Sequence, residues 1–240
     1  FELSSWWRFR DRVQIQTAFT LRQVESLLTL NRNELQQKLS VLWRYDARDS
    51  FLFPRKGWNW QADVQSVEGL STEASDYLIW NHSLTRYQPI GRNGSVAIRS
   101  EFGRVYNFTE RDPLYAMFRM GTETTVRGWS QSIGKTYLTS DGSAIYAGYA
   151  KALFNLEFRF PIWRFIGGEI FLDAGQLNDN FSSTADFAEY YASFGAGLTF
   201  RTFIGPIRAE IPLTLQDPAA NYSFGKAADV KFILALLYAF

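Results

Sequence analysis

Polar and apolar residues alternate along this chain over stretches long enough to cross a membrane as tilted β-strands. In the clearest stretch, residues 230–240, every even-numbered residue is apolar and lies on one face of a β-strand. A transmembrane strand needs about 9–11 residues, so this stretch suits the closing strand of an outer-membrane barrel. A strand of a soluble β-protein would show the same pattern, and this stretch alone leaves both alternatives open. The closing strand and its C-terminal signal would comprise Phe232, Leu234, Leu236, Tyr238 and Phe240.

Eleven further stretches show strand-like alternation between turn-forming residues. They are residues 7–16, 18–27, 35–48, 58–67, 77–89, 96–108, 115–120, 145–160, 165–173, 190–200 and 207–215. The total of twelve is even, as single-chain bacterial barrels require. Short and long connections alternate, which is the asymmetry expected of an outer-membrane barrel, and residues 121–144 form a long irregular segment.

The first 33 residues are harder to assign, because no Gly or Pro marks a turn between the two strands predicted there. Apolar residues between Val24 and Leu39 lie at helical spacings interrupted by Asn31 and Asn33, and they leave a helix as an alternative. The chain has no repeat of fixed period and no linker. We therefore predict a single domain over residues 1–240.

The amino-acid composition favours a membrane barrel over a soluble β-protein. Aromatic residues make up 17% of the chain and charged residues 20%, and the mean hydropathy is −0.19. This mixture suits a barrel with lipid outside, water inside and aromatic girdles at both interfaces. The chain has no uninterrupted apolar run of about 18 residues, which a membrane-spanning helix would need. A closed barrel is then the only spanning structure, because lipid cannot satisfy an open sheet edge.

Charge and residue counts argue against several other classes of protein. The net charge of +1 does not suggest binding to nucleic acid. The chain has no Cys, which removes disulfides and thiolate metal sites, and its single His82 cannot by itself form a metal site or a catalytic triad. We therefore expect no metal, no cofactor and no enzymatic activity.

Five short motifs occur along the chain between Tyr45 and Leu213. They are residues 45–57 (YDARDSFLFPRKG), 118–129 (FRMGTETTVRGW), 154–161 (FNLEFRFP), 171–175 (FLDAG) and 195–213 (GAGLTFRTFIGPIRAEIPL). Together they resemble the signature elements of the BamA superfamily of outer-membrane insertases and translocation pores. That resemblance implies a transmembrane antiparallel β-barrel whose 121–144 loop, carrying Val126, Arg127, Gly128 and Trp129, folds back into the lumen.

The strands after this loop carry charges that the resemblance would pair with Arg127. In residues 156–160 the apolar side chains share one face, so Glu157 and Arg159 point into the lumen if the Phe residues face lipid. Asp173 is also expected inside, because a carboxylate facing lipid costs several kcal/mol. The predicted docking partners on the strands are Glu157, Arg159, Asp173 and Gly175. The alternative is that these are water-solvated lumenal charges, which contribute little as ion pairs.

The resemblance implies a factor in the bacterial outer membrane that assists insertion of barrel proteins through a seam between the first and last strands. Its partners would be the outer-membrane lipid bilayer and either client barrel proteins or a passenger polypeptide. A polypeptide translocation pore and a passive structural barrel are the alternatives, and a homodimer is also left open. Members of this family usually carry periplasmic POTRA domains and sixteen strands. We therefore expect either a short member that lacks POTRA domains or a barrel fragment.

Overall fold

The computed structural model describes residues 1–9, 11–26, 32–71, 74–139, 142–179, 189–220, 222–223 and 232–237. These residues form fourteen β-strands and a 3-10 turn at Pro218–Ala220. The strands are β1 Glu2–Phe9, β2 Val13–Ser26, β3 Arg32–Asp46, β4 Gly57–Gly69, β5 Tyr77–Ile90, β6 Gly94–Asn107, β7 Lys135–Leu138, β8 Ala144–Ala147, β9 Ala150–Trp163, β10 Ile166–Asn178, β11 Tyr191–Thr202, β12 Gly205–Asp217, β13 Tyr222–Ser223 and β14 Ile233–Leu236. Within the same residues, no helix is long and apolar enough to cross a membrane.

Twelve of these strands form one antiparallel sheet, in which β1 to β6 are followed by β9, β10, β11 and β12. Both β13 and β14 pair with the remaining edge of β12. Neighbouring strands are also consecutive in the chain, with two exceptions. Strand β6 pairs with β9 across the long connection 108–149, and β12 pairs with β14 as well as with β13. The hairpin β7–β8 lies within that connection and is a separate small sheet.

The main sheet exposes an apolar face and buries a polar one, the reverse of a soluble protein. The outward side chains that are 40–70% exposed include Ile98, Phe154, Ile170, Leu198, Ile211 and Leu234. The inward side chains that are at most 5% exposed include Gln36, Thr85, Glu101, Glu157, Asp173 and Glu210. The alternation of residue types along each strand produces this arrangement, which is that of a transmembrane barrel wall with lipid outside.

The sheet curls around the 108–149 connection. Near the start of this segment Tyr115 donates a hydrogen bond to Glu34 of β3, whereas further along Arg127 contacts Glu210 of β12. At the end with the short turns, Arg201 of β11 lies 5.7 Å from the ring of Phe53 in the β3–β4 turn. Strands far apart in the sheet order are therefore close in space, as a barrel requires.

The two edge strands of the sheet are β1 and β14, and we call this pair of edges the seam. Among the described residues, no backbone pairing joins these two strands. Each strand is antiparallel to its neighbour, and β14 lies ten positions along from β1, so the two strands run in the same direction. The seam is therefore the place where the regular antiparallel ladder is interrupted.

The predicted barrel of about twelve strands is confirmed, but one predicted strand does not lie in the wall and the boundary between the first two was wrong. Residues 115–120 form only two isolated bridges, Phe118 with Gly148 and Met120 with Ile133, because this segment packs inside the barrel instead of in its wall. The first two strands were divided near residue 17, whereas the structure turns at Asp11 and Arg12. Asp11 adopts a φ of 55°, which Asp tolerates better than most residues, so the turn needs no Gly or Pro.

The N-terminal helical alternative is also wrong for the residues described, since β2 extends to Ser26 and β3 begins at Arg32. In the predicted closing strand, β14 covers only Ile233–Leu236. Phe232, Leu234 and Leu236 are 55–70% exposed. The other two predicted residues, Tyr238 and Phe240, lie outside the described residues.

Candidate functional site: a loop docked in the barrel lumen

The lumenal motif sits on a compact turn within the 108–149 connection. The hydroxyl of Thr125 accepts hydrogen bonds from the backbone N–H groups of Gly121 and Thr122, at 3.0 and 2.9 Å. The N–H of Gln131 donates to the carbonyl of Gly121 at 3.0 Å and closes the turn at its other side. Gly128 has a φ of 109°, a conformation that side chains disfavour. The local sequence thus fixes a turn that projects Arg127 from its tip.

The guanidinium of Arg127 is completely buried and lies between three strands of the barrel wall. Its Nε and Nη2 donate to the two carboxylate oxygens of Asp173 on β10, at 2.6 and 2.8 Å. Its Nη1 donates to Glu157 on β9 at 2.9 Å and to Glu210 on β12 at 3.0 Å. The Asp173 contact is a bidentate pair, the strongest and most directional geometry that Arg and a carboxylate can form.

Phe171 lies on the same inward face as Asp173, and its ring supports the cation. The guanidinium carbon of Arg127 is 3.5 Å from the centre of that ring, a cation–π contact. Asn155 completes the support by donating to Asp173 at 2.8 Å and to the carbonyl of Thr125 at 2.7 Å. Phe171 is an apolar residue on the polar, inward face of β10, and it is there because its ring forms part of the binding site for Arg127.

The other predicted partners take different roles. Arg159 donates to Glu157 at 2.8 Å, and so contacts the partner of Arg127. A Cβ added at Gly175 would lie 2.5 Å from the Sδ of Met120 and 2.8 Å from a methyl of Val126. Gly175 therefore leaves the space into which the loop packs.

The apolar side of the loop packs in the lumen beside the ionic contacts. Val126 is fully buried, and Trp129 is 5% exposed with its ring edge-to-face against Tyr191 at 5.7 Å. Met120 and Ile133 join the same cluster, which rests on Leu153 and Leu177 of the wall. The predicted Val126-Arg127-Gly128-Trp129 motif therefore makes two kinds of contact. Arg127 lies in the ionic site, whereas Val126 and Trp129 pack in the apolar cluster.

Sequence reasoning did not identify three buried charged residues near Arg127, namely Glu169, Arg208 and Glu210. All three are at most 1% exposed and lie on the inward faces of β10 and β12. The same alternation that indicated Glu157 could have indicated these residues, since Arg208 and Glu210 alternate with Ile207 and Ile211. The missed residues matter because Glu210 contacts Arg127 directly.

The ionic site contains three guanidinium groups and four carboxylates. They belong to Arg127, Arg159 and Arg208, and to Glu157, Glu169, Asp173 and Glu210. Carboxylate oxygens of Glu157, Glu169 and Glu210 lie within 4.8 Å of one another, a spacing that would suit metal ligands. Guanidinium groups already contact Glu157 and Glu210, so a metal ion would meet positive charge there. The site is built to hold guanidinium groups.

The surrounding carboxylates raise the pKa of Arg127. Burial alone would lower this pKa, but Asp173, Glu157 and Glu210 together raise it well above its ordinary value. The loop tip therefore carries a permanent positive charge at its binding site.

A second contact holds the start of the connection against the opposite side of the barrel. The hydroxyl of Tyr115 donates to Glu34 on β3 at 3.0 Å and accepts a hydrogen bond from the amide of Gln36. Its ring lies edge-to-face with Tyr77 of β5, with centroids 6.1 Å apart. The connection thus bridges the lumen between the N-terminal and C-terminal strands.

The lumenal motif also approaches the last strand. A cavity of about 460 Å³ separates the loop tip from β14, and its walls include Gly128, Trp129, Phe232 and Leu234. Two sets of residues that the sequence identified separately therefore lie on opposite sides of one cavity beside the seam.

A family model described as the Omp85 superfamily domain matches residues 9–225. The chain belongs to the Omp85 superfamily. This finding confirms the family that the five sequence motifs indicated, and the superfamily is one of outer-membrane β-barrels. A search of curated proteins gives no match for this chain.

Two solved structures show the same Omp85 fold. BamA from Haemophilus ducreyi lacking POTRA domains 1–3 is 15% identical, with a TM-score of 0.74 over 96% of this chain and 52% of that chain. CdiB from Acinetobacter baumannii is 13% identical, with a TM-score of 0.57 over 97% of this chain and 40% of that chain. The present Omp85 chain thus spans about half the length of these relatives or less.

Proposed function

We propose that this Omp85 barrel assists the insertion of other barrel proteins into the bacterial outer membrane. The observation that carries the proposal is the position of the Arg127 site, which braces β9, β10 and β12 directly beside the last strand. Within the described residues, β14 pairs with β12 at all four of its positions and with no strand on its other edge. A braced wall therefore adjoins a strand whose other edge is open to a further strand.

The proposed mechanism is the addition of a client strand at the seam. The backbone N–H and C=O groups along the edges of β1 and β14 form a template for an incoming strand, since no strand among the described residues pairs with these edges. Large apolar residues of β1 face outward next to this edge, with Leu3, Trp7 and Phe9 50–65% exposed. In a membrane they would contact lipid, and a short strand at this point would thin the bilayer locally. The activity needs no cofactor and involves no enzymatic step.

Occupation of the lumen favours insertion over translocation. Val126, Arg127 and Met120 are fully buried inside the barrel. A polypeptide passing through the lumen would have to displace these side chains and break the buried ion pairs. A client strand added at the seam would leave them in place.

The test is the folding rate of a reporter barrel in liposomes with and without this protein. We expect the wild-type protein to accelerate folding and Arg127→Ala to lose most of that acceleration. Arg92→Ala, in the exposed β5–β6 turn, is the matched control and should act as wild type. No acceleration by the wild-type protein would contradict the proposal and leave a passive barrel. Steady ion conductance in planar bilayers without acceleration would favour a translocation pore.

A further inference from the structure

Arg208 connects the loop-binding site to the end of the last strand. It is 1% exposed on the inward face of β12. Its Nη1 contacts Glu210 and lies 3.9 Å from carboxylate oxygens of both Glu157 and Glu169. On its other side, its Nε donates to the backbone carbonyl of Leu237 at 2.5 Å. One side chain therefore joins the ionic site to the residue that follows β14.

Leu237 is held in an unfavourable conformation by its contacts with the start of β12. Its φ of 68° is in the left-handed region, which is costly for leucine. Its N–H donates to the carbonyl of Pro206 at 2.7 Å, while its own carbonyl accepts from Arg208. Its side chain fills the space beside Gly205. Both polar groups of this strained residue are therefore satisfied by the segment that also carries Arg208.

One carboxylate oxygen of Glu210 accepts hydrogen bonds from both Arg127 and Arg208. The Oε1 of Glu210 accepts from Nη1 of Arg127 at 3.0 Å and also from Nη1 of Arg208. Withdrawal of Arg127 would remove one of two cations from that oxygen and change the balance of charge around Arg208. Groups that share a partner in one buried network are energetically coupled.

We propose that Arg208 is a positioning residue that couples docking of the loop to pairing of β14 with β12. With Arg127 bound, Glu210 and Arg208 are fixed, and Arg208 holds the carbonyl of Leu237 against the wall. When Arg127 leaves, this constraint weakens and the last strand separates more readily. The coupling deepens the proposed function, on which its biological role rests, because it makes the pairing of the last strand responsive to the loop.

Disulfide trapping measures the pairing of β14 directly, since the chain has no Cys of its own. Ala209 and Leu234 are partners across β12 and β14, so the pair Ala209→Cys and Leu234→Cys reports on that contact. The measured quantity is the rate of disulfide formation in the whole chain, folded in liposomes. We expect this rate to fall about fivefold or more with Arg208→Lys and with Arg127→Ala. A change of about fivefold is the low end of the coupling usually found between two sites.

Lysine is the informative replacement because it keeps the charge but has a single nitrogen. It cannot contact both Glu210 and the carbonyl of Leu237 in the way that Nη1 and Nε of Arg208 do. A control pair at Ile170 and Ala196, which are partners across β10 and β11, should form its disulfide at the same rate in every background. Combining Arg208→Lys with Arg127→Ala should reduce the β12–β14 rate by less than the product of the two single effects.

An unchanged β12–β14 rate in both variants would overturn the inference, as would an equal fall at the control pair. If Arg208→Lys does not fold, Arg127→Ala still tests the coupling from its other end. Trapping that falls as expected, without any acceleration of reporter folding by the wild-type protein, would support the coupling and contradict the proposed function. Accelerated folding with unchanged trapping would contradict the coupling alone.

Discussion

At the scale of single residues, Arg127 is the contact on which loop docking depends. Its guanidinium binds three carboxylates in a site that excludes solvent, and it rests on the ring of Phe171. Burying such a charge is costly, so the arrangement is favourable only while every partner is present. The role of Arg127 is therefore to specify one position of the loop, more than to add stability.

Arg127→Ala should destabilise the folded barrel by about 3–5 kcal/mol, because it leaves the carboxylate of Asp173 buried without its cation and removes one of the cations that contact Glu157 and Glu210. Arg127→Lys should be intermediate, since one ammonium group cannot replace a bidentate pair and two further contacts. The measurement is the urea concentration and temperature at which the heat-modifiable gel band is lost. Arg92→Ala should change neither value, and an Arg127→Ala barrel as resistant as wild type would contradict this role.

The sequence predicted part of this site for a definable reason. Alternation placed Glu157 and Arg159 inside, and the family resemblance linked Arg127 to Glu157 and Asp173. Glu210 and Arg208 obey the same alternation, but a strand pattern does not say which strands meet the loop. That information comes from the curvature of the wall, which brings β12 next to β9 and β10 around the loop tip.

At the scale of elements, the connection 108–149 is a brace with two ends. Arg127 fixes it to the C-terminal half of the wall, and Tyr115 fixes it to Glu34 and Gln36 of β3. The sequence predicted residues 115–120 as a wall strand because their apolar residues are spaced like those of one. A lumenal segment buries apolar residues against the inner wall and produces the same pattern, so periodicity alone could not separate the two cases.

Tyr115→Phe should loosen only the N-terminal end of this brace. It removes the hydroxyl shared by Glu34 and Gln36, and a hydrogen bond to a charged group contributes about 1.5–3 kcal/mol. Trypsin should then cleave after Arg119, which lies between the two anchors, about fivefold faster or more. Tyr106→Phe, on the outward face of β6, is the control. Equal cleavage rates for Tyr115→Phe and wild type would show that the contact of Tyr115 with Glu34 and Gln36 does not restrain the connection.

At the scale of the whole molecule, the barrel has a rigid side and a seam. The long ladders run without interruption from β1 to β12, and the ionic site reinforces β9, β10 and β12. The two edge strands, β1 and β14, run in the same direction, so direct pairing between them would be parallel. Alternation and chain length predicted a barrel of about twelve strands, but the direction of the edge strands depends on which segments join the wall. Counting residues 115–120 as a wall strand would make β1 and β14 run in opposite directions, so the sequence did not predict that they run in the same direction.

The central claim is that the loop tip is docked against β10 inside an Omp85 barrel. Its most direct test is a disulfide between Val126→Cys and Gly175→Cys, since an added Cβ on residue 175 would lie 2.8 Å from a methyl of Val126. The test uses a Met120→Ala background, which removes the sulfur that this Cβ would otherwise meet at 2.5 Å. The pair Val126→Cys and Ala174→Cys is the control, because consecutive strand residues face opposite sides of the wall. We predict that oxidation of the barrel folded in liposomes links the first pair, with a gel shift that reductant reverses, and not the second. Failure of the first pair to form, or equal formation by both pairs, would contradict the account.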